Sequence, residues 1–247
     1  MIKGKKLFSI IAICLMFIGA EAEKKYKSWD KWDYDECWKI LDESPWVSMV
    51  QFGVKGRTST NINGVEYSHV PYMNYRLFSS RPIRRAYARL ITLQAKGDTR
   101  TMSDDLKKFV DADYSDKIII SALVSLKTEV PFGNTEQLSA YGMTGHSQID
   151  GNYGIRGLQF EQPITVEELR KITYLQFKSG RKVYLQDYFK AQQGSFGAQL
   201  VFPRKIEGKP ILESEQGEVE LHITINAINQ KAYFKISDLR YEGKLEY

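Results

Sequence analysis

Two cysteines and three histidines are all that 247 residues contain of the side chains that most often carry metal or nucleophilic chemistry. A structural zinc site wants four ligands. A nucleophilic triad wants an imidazole brought by the fold to a serine or cysteine and an acid. With so few histidines both chemistries have little to draw on. The glycines form neither G-x-G-x-x-G nor G-x-x-x-x-G-K-[ST], so the phosphate cradles those loops build are not announced. There is no G-x-S-x-G elbow to expose a serine. Long apolar runs are missing too. The one candidate, Leu7–Gly19, covers about two-thirds of the roughly 20 residues a membrane helix needs.

That short run has another use. Lys3, Lys5 and Lys6 precede it and Ala20-Glu21-Ala22 follows it, the basic, apolar and small-x-small sections of a secretory signal. Residues 1–22 are therefore expected to be a cleaved signal peptide, with the mature chain starting near Glu23 and carrying no transmembrane segment. Cys14 lies inside the apolar run with Ile13 before it, which does not suit lipidation. The mature chain keeps 32 basic and 29 acidic residues, a balance unlike the concentrated positive excess of nucleic-acid binders. It also keeps a single cysteine, Cys37, so no internal disulfide can form. A buried thiol is the simplest reading, an intermolecular bridge the alternative. Without a covalent staple the protein has to rely on its core, and residues 23–247 are long enough for one sizeable core.

What is present is patterned. Asp33-x-x-Glu36 has capping-box spacing, followed by Tyr34, Cys37, Trp38 and Leu41 at helical intervals. Ser44-Pro45 suggests a second helix start ahead of Trp46, Val47 and Val50. Four tryptophans fall within residues 29–46, of which Trp38 and Trp46 lie on patterned core faces and Trp29 lies outside the helix. Residues 53–64 read as a polar loop. Met73, Tyr75 and Leu77 alternate as a strand, and from Ile83 the apolar positions Ala86, Tyr87, Leu90 and Ile91 switch to helical spacing. Ser79 or Ser80 is placed to cap that helix and Pro82 to sit in its first turn. A shorter helix follows Ser103. Lys117–Lys127 is apolar on both faces, as a strand covered on both sides would be.

Residues 131–163 form an irregular glycine-rich stretch with six glycines. Beyond it, Thr165-x-x-Glu168 caps a short helix. Strands at 172–177 and 182–185 flank Ser179-Gly180, a hairpin signal. Asp187-Tyr188-Phe189 suggests a helical turn. Residues 198–203 and 218–226 alternate as strands, and 231–236 is expected to pair with the latter. The fold class expected is α+β in one domain, with N-terminal helices packed on one face of a mostly antiparallel sheet.

Candidate chemistry is thin. His146, with Ser147 and Asp150, lies in the glycine-rich stretch, and a hydrolase using His146 and Asp150 is the enzymatic alternative. Glu220 and His222 share one strand face but make only two ligands. Asp150, Asn152 and Glu161 match three calcium-loop positions, but Ile155 stands where the loop needs its glycine. No metal, no cofactor and no catalytic residue is assigned. The strongest signal is cationic. Arg81, Arg85 and Arg89 recur four apart along one helix side, with Arg84 beside them and Arg76 on the preceding strand. Three of them crowd the helix N-terminus, where the dipole disfavours cations by about 0.3–1 kcal/mol each. Acidic partners such as Glu43, Asp104 or Asp105 are the structural way to offset that. An anionic ligand or acidic partner surface bound by Arg76, Arg81, Arg84, Arg85 and Arg89 is the functional way.

Two segments also carry a resemblance. Trp29-x-x-Trp32 through Trp38-Lys-Ile-Leu-Asp-Glu-Ser-Pro-Trp46, then Arg76-x-x-Ser79-x-x-Pro82-x-x-x-Ala86, is similar to a group of exported bacterial proteins, notably acidobacterial, for which no activity is established. The likeness extends to Val201–Arg204 and Gly243–Glu246. It implies export, to the periplasm or beyond, and brings no catalytic residues. The function expected is thus a soluble, exported, non-enzymatic binding or assembly module of the cell envelope.

Overall fold

The structure, a computed structural model, describes residues 27–51, 58–62, 65–95, 102–129, 165–191, 196–225 and 228–247, with side chains for all of these except 58–62, 65–69, 126–129, 225 and 228. Residues 1–22, read from the sequence as a signal peptide, and the glycine-rich stretch with its His146 and Asp150 lie outside the described residues.

The protein is α+β and its sheets are antiparallel throughout. Helix α1 (Tyr34–Glu43) starts on the expected capping box, with Asp33 Oδ1 accepting from the Glu36 amide at 2.8 Å and Glu36 reaching back to the Asp33 amide at 2.9 Å. It turns Cys37, Trp38 and Leu41 inward. Cys37 is fully buried, and burial pushes its thiol up to about 12. In that state the thiolate that would form a bridge is scarcely populated.

A second helix does not follow. After a turn at Ser44–Trp46 the chain enters β1 (Val47–Gln51), which pairs with β3 (Val65–Leu77). Ser44-Pro45 is chemically adequate for a helix start, but Val47 and Val50 are equally good strand residues, and pairing to a long neighbour decides between them. The polar segment also contains a strand, β2 (Thr58–Ile62), with Ile62 opposite Val65. Asn-Gly dipeptides in a sequence are a hairpin signal, and a reading based on polarity alone passes over the one at 63–64.

Helix α2 (Arg81–Gln94) leads to α3 (Asp104–Asp111) and then to β4 (Lys117–Glu129). Beyond residue 164 come α4 (Val166–Ile172), β5 (Tyr174–Phe177), β6 (Lys182–Tyr184), β7 (Asp187–Phe189) and β8 (Ala198–Pro203). A small hairpin pairs β9 (Lys205–Ile206) with β10 (Lys209–Pro210). Then come β11 (Glu218–Ile225) and β12 (Ile228–Lys235), and the chain closes with the pair β13 (Arg240–Tyr241) and β14 (Lys244–Leu245). The helical turn expected at Asp187–Phe189 is therefore a strand. Three residues have too little propensity of their own to resist an open edge of β8.

Strands from both halves of the chain build one six-stranded sheet in the order β1-β3-β4-β8-β7, with β2 also on β3. A second sheet, β12-β11-β5-β6, comes from the C-terminal half alone. The apolar faces of the two sheets meet. Tyr75 on β3 donates its hydroxyl to Gln230 Oε1 on β12, and both side chains are buried. The other face of the large sheet carries the helices, since Arg76 reaches both α1 and Tyr87 on α2. Burial of consecutive residues Met73 to Leu77 follows from this layering of helix, sheet and sheet. Among the described residues no helix is long and apolar enough to cross a membrane.

Candidate functional site

The five arginines are all engaged within the chain. Arg76 is 1% exposed. Its Nε donates to Leu41 O at 2.6 Å, one terminal nitrogen to Asp42 at 2.7 Å and the other to the Tyr87 hydroxyl. Burial works against its charge, but Tyr87 and Asp42 outweigh it and hold its pKa above the usual arginine value. Arg84 is buried and lowered by desolvation. It donates to the carbonyls of Phe109, Val110 and Ala112, the orphan acceptors at the C-terminus of α3. Arg85 bonds Tyr241 Oη at 3.0 Å and Glu242 at 2.7 Å, and lies over the Trp29 and Tyr241 rings. Arg89 Nε donates to Trp32 O at 2.8 Å. Arg81 pairs with Glu246.

Glu246 explains how α2 starts. Ser80 occupies the cap position, but its hydroxyl donates to Leu77 O at 2.7 Å and caps nothing. Ser79 Oγ instead accepts from the Ile119 amide. The first turn of α2 contains no acidic residue. A carboxylate from the far end of the chain replaces it, because Glu246 Oε2 accepts from the Arg81 amide at 3.3 Å while Oε1 holds the Arg81 Nε at 2.7 Å. The same residue accepts from Trp46 Nε1 at 2.8 Å through its carbonyl. The acids that the sequence suggested play other parts, Asp104 and Asp105 pairing with Lys107 and Lys108 on the solvent side of α3. Glu246→Ala is expected to lower the unfolding free energy of the protein by about 1–2 kcal/mol, the worth of a cap and a dipole partner together, measured by urea denaturation. A change below a few tenths would show that the helix start holds itself.

The histidine and carboxylate pair at Glu220 and His222 stays on the solvent face of the second sheet. His222 Nε2 lies 3.0 Å from Glu220 Oε2, Lys231 Nζ is 3.5 Å from the same oxygen, and the imidazole stacks on Tyr174 at 4.7 Å. Among the described residues no group of three or more His, Cys, Asp or Glu side chains could hold a metal ion.

A feature that the sequence did not point to lies on the helix-bearing face of the large sheet. Directly paired residues share a face, and one row runs Val47, Arg76, Ser121, Gln199, Phe189 across β1, β3, β4, β8 and β7. Among the described residues, the cover along it runs out. Arg76 and Ser121 are buried under the helices, Gln199 is half-buried, and Phe189 is 53% exposed. The next row, Ile119, Val201 and Asp187, does the same. The result is a trough of about 500 Å³ over β8 and β7 with Ile119 and Val201 as its floor. Tyr114, after α3, and Phe189 stand at its sides. Around the rim are two pairs of opposite charge, Arg170 with Asp187 at 4.0 Å and Lys117 with Asp116 at 3.9 Å.

Both members of the first pair are oriented by the backbone. Arg170 Nε donates to Gln186 O at 2.7 Å, and one terminal nitrogen of the same guanidinium faces Asp187 Oδ1 at 4.0 Å. Asp187 Oδ1 accepts from the Tyr188 amide at 2.8 Å. A second, more open groove of about 660 Å³ lies at the N-terminal end of α2 and includes Arg81, Arg84, Arg204 and Lys205 together with Asp111, Asp113, Glu213 and Glu246. Arg76, Arg85 and Arg89 do not line it. Compared with known protein families, with curated proteins and with solved structures, the chain matches none.

Proposed function

We propose that this is an exported, soluble, non-enzymatic binding module of the cell envelope that holds a small amphiphilic ligand in the trough over β7 and β8. The observation that carries the reading is the row from Arg76 to Phe189, in which, among the described residues, the helix layer stops two strands short of the sheet edge and leaves apolar floor beside oriented charges. A concavity of about 500 Å³ with an apolar floor and a charged rim has the size of a small-molecule site, and its mixed lining suits an amphiphile. Export rests on the basic, apolar and small-residue sections of residues 1–22.

A second reading has its own observation. Arg81 and Arg84 line the open groove at the start of α2, where an anionic group or an acidic partner surface would meet Arg204 and Lys205 as well. Against it, the same groove contributes four carboxylates, and Arg81 is already paired.

One titration separates the readings. The isotopically labelled mature protein is mixed in turn with alanyl-leucyl-alanine, maltotriose, inorganic phosphate and polyglutamate, and amide shifts are followed. Shifts confined to Phe189, Gln199 and Val201 with any small probe are the expected result. Shifts only around Arg81 and Lys205 with phosphate or polyglutamate would favour the second groove. Turnover of a probe, lost in His146→Ala, would replace both with the hydrolase.

A further inference from the structure

We infer that the trough is a site for the free ends of a short peptide carrying an apolar side chain. This rests on the trough being the ligand site and names the class of ligand. Three features of the rim and floor converge on it.

The charges come as two opposite pairs on opposite sides of the trough. Asp187 and Arg170 stand at the β7 side, and Lys117 and Asp116 at the β4 side, two strands away. Two strand spacings and the two-residue offset between their rows place the pairs about 10–12 Å apart. An extended chain advances about 3.3–3.6 Å per residue, so that span is the reach of roughly three residues between an α-ammonium and an α-carboxylate. A single-signed ligand would leave one member of each pair opposed. A zwitterion satisfies both ends.

The two ends are not equivalent. Arg170 is held through Nε by the Gln186 carbonyl, so its terminal nitrogens form a fork of the shape that a carboxylate accepts from in bidentate fashion. On the other side Asp116 is a carboxylate next to a flexible lysine, suited to an ammonium. Both ion pairs are long, at 3.9 and 4.0 Å, so neither is closed against a competitor. The peptide would therefore lie with its C-terminus at Arg170 and its N-terminus at Asp116.

Between the ends lie Ile119 and Val201, buried floor positions that a middle side chain would cover, with Tyr114 and Phe189 beside them. Gln199, half-buried in the row that ends at Phe189, supplies an amide that can both donate to and accept from a peptide bond. A sugar would find the amide but no use for two charge pairs. Phosphate would find the arginine but not the floor.

Isothermal titration of the mature protein with alanyl-leucyl-alanine tests this directly, alongside the N-acetylated peptide, the C-terminal amide and alanyl-glycyl-alanine. The free tripeptide is expected to bind. Blocking either end should weaken it at least 10-fold, and so should replacing the central leucine with glycine. Arg170→Gln is expected to weaken the free peptide at least 10-fold while leaving affinity for the C-terminal amide unchanged, a pattern that mere loss of folding would not produce. Equal binding of free and doubly blocked peptides overturns the proposal. If maltotriose or phosphate perturbs Phe189 and Val201 while the tripeptide does not, the peptide assignment fails and the binding-module reading stands. If no probe perturbs the trough, both fail.

Discussion

Replacing Arg76 with alanine is expected to destabilise the protein by about 3–4 kcal/mol, one of the two largest effects of any single substitution considered for it. The side chain is 1% exposed and uses its whole guanidinium edge. Its removal takes away the donor that Arg76 gives to Leu41 O, the Tyr87 hydroxyl and the Asp42 carboxylate at the place where α1, α2 and β3 meet. Taking one member from a buried ion pair costs about 3–5 kcal/mol, because the other charge is left uncompensated. Asp42 retains some contact with solvent, its side chain being 14% exposed, which puts the expected value toward the lower end. The double variant Arg76→Met with Asp42→Asn should recover part of the loss, since it removes the charge that Arg76 balanced and refills the volume. Urea denaturation of the four proteins in the cycle measures both terms. A loss under about 1 kcal/mol for Arg76→Ala, together with failure to bind a partner, would move Arg76 from the frame to a binding site.

The second large effect is expected at Gly197. It immediately precedes β8 and has φ near +95°. A Cβ built there would lie 2.4 Å from Ala122 O and 3.0 Å from Ala122 C on β4. These are backbone atoms of the central strand, held by pairing on both sides, so neither can step aside cheaply. Gly197→Ala therefore combines an unfavourable backbone region with a collision, and a loss of more than about 3 kcal/mol is expected. Gly208→Ala is the control. That residue has φ near +76° in the β9–β10 turn with nothing within 4 Å of the added carbon. It should show the conformational penalty alone, about 1 kcal/mol. Equal midpoints for the two variants would mean that β4 yields to the added methyl group.

Arg76 belongs to the strand-to-helix junction of residues 73–93. From the sequence the arginines of this junction read as a cationic stripe offset either by nearby acids such as Glu43, Asp104 or Asp105 or by an anionic ligand or acidic partner surface. In the structure they link elements that are distant in the chain. Arg76 joins β3 to α1 and α2, Arg84 closes the end of α3, Arg85 reaches Glu242, and Arg81 receives Glu246. The electrostatic problem of cations at a helix N-terminus was visible in the order of residues. Its solution was not, because Glu246 is 165 residues away from Arg81 along the chain.

The amino-acid order by itself settled local matters. The Asp33 and Glu36 capping box, the Thr165 and Glu168 one, the two-faced apolar strand from Lys117, the Ser179-Gly180 hairpin and, as far as Thr224, the alternation expected over 218–226 all depend on residues within a few positions of each other, and all formed as read. Tertiary structure decided what those local patterns leave open. Periodicity says which face of an element is buried but not what buries it, so the division of strands into two sheets, with Tyr75 meeting Gln230 between them, had no signature. Short segments such as Val47–Gln51 and Asp187–Phe189 carry too little intrinsic preference to choose their own state, and the edge on which they dock chose it for them. The trough arises the same way. Phe189 and Val201 are unremarkable strand residues, and only the point at which the helix layer ends makes one of them exposed and the other a floor.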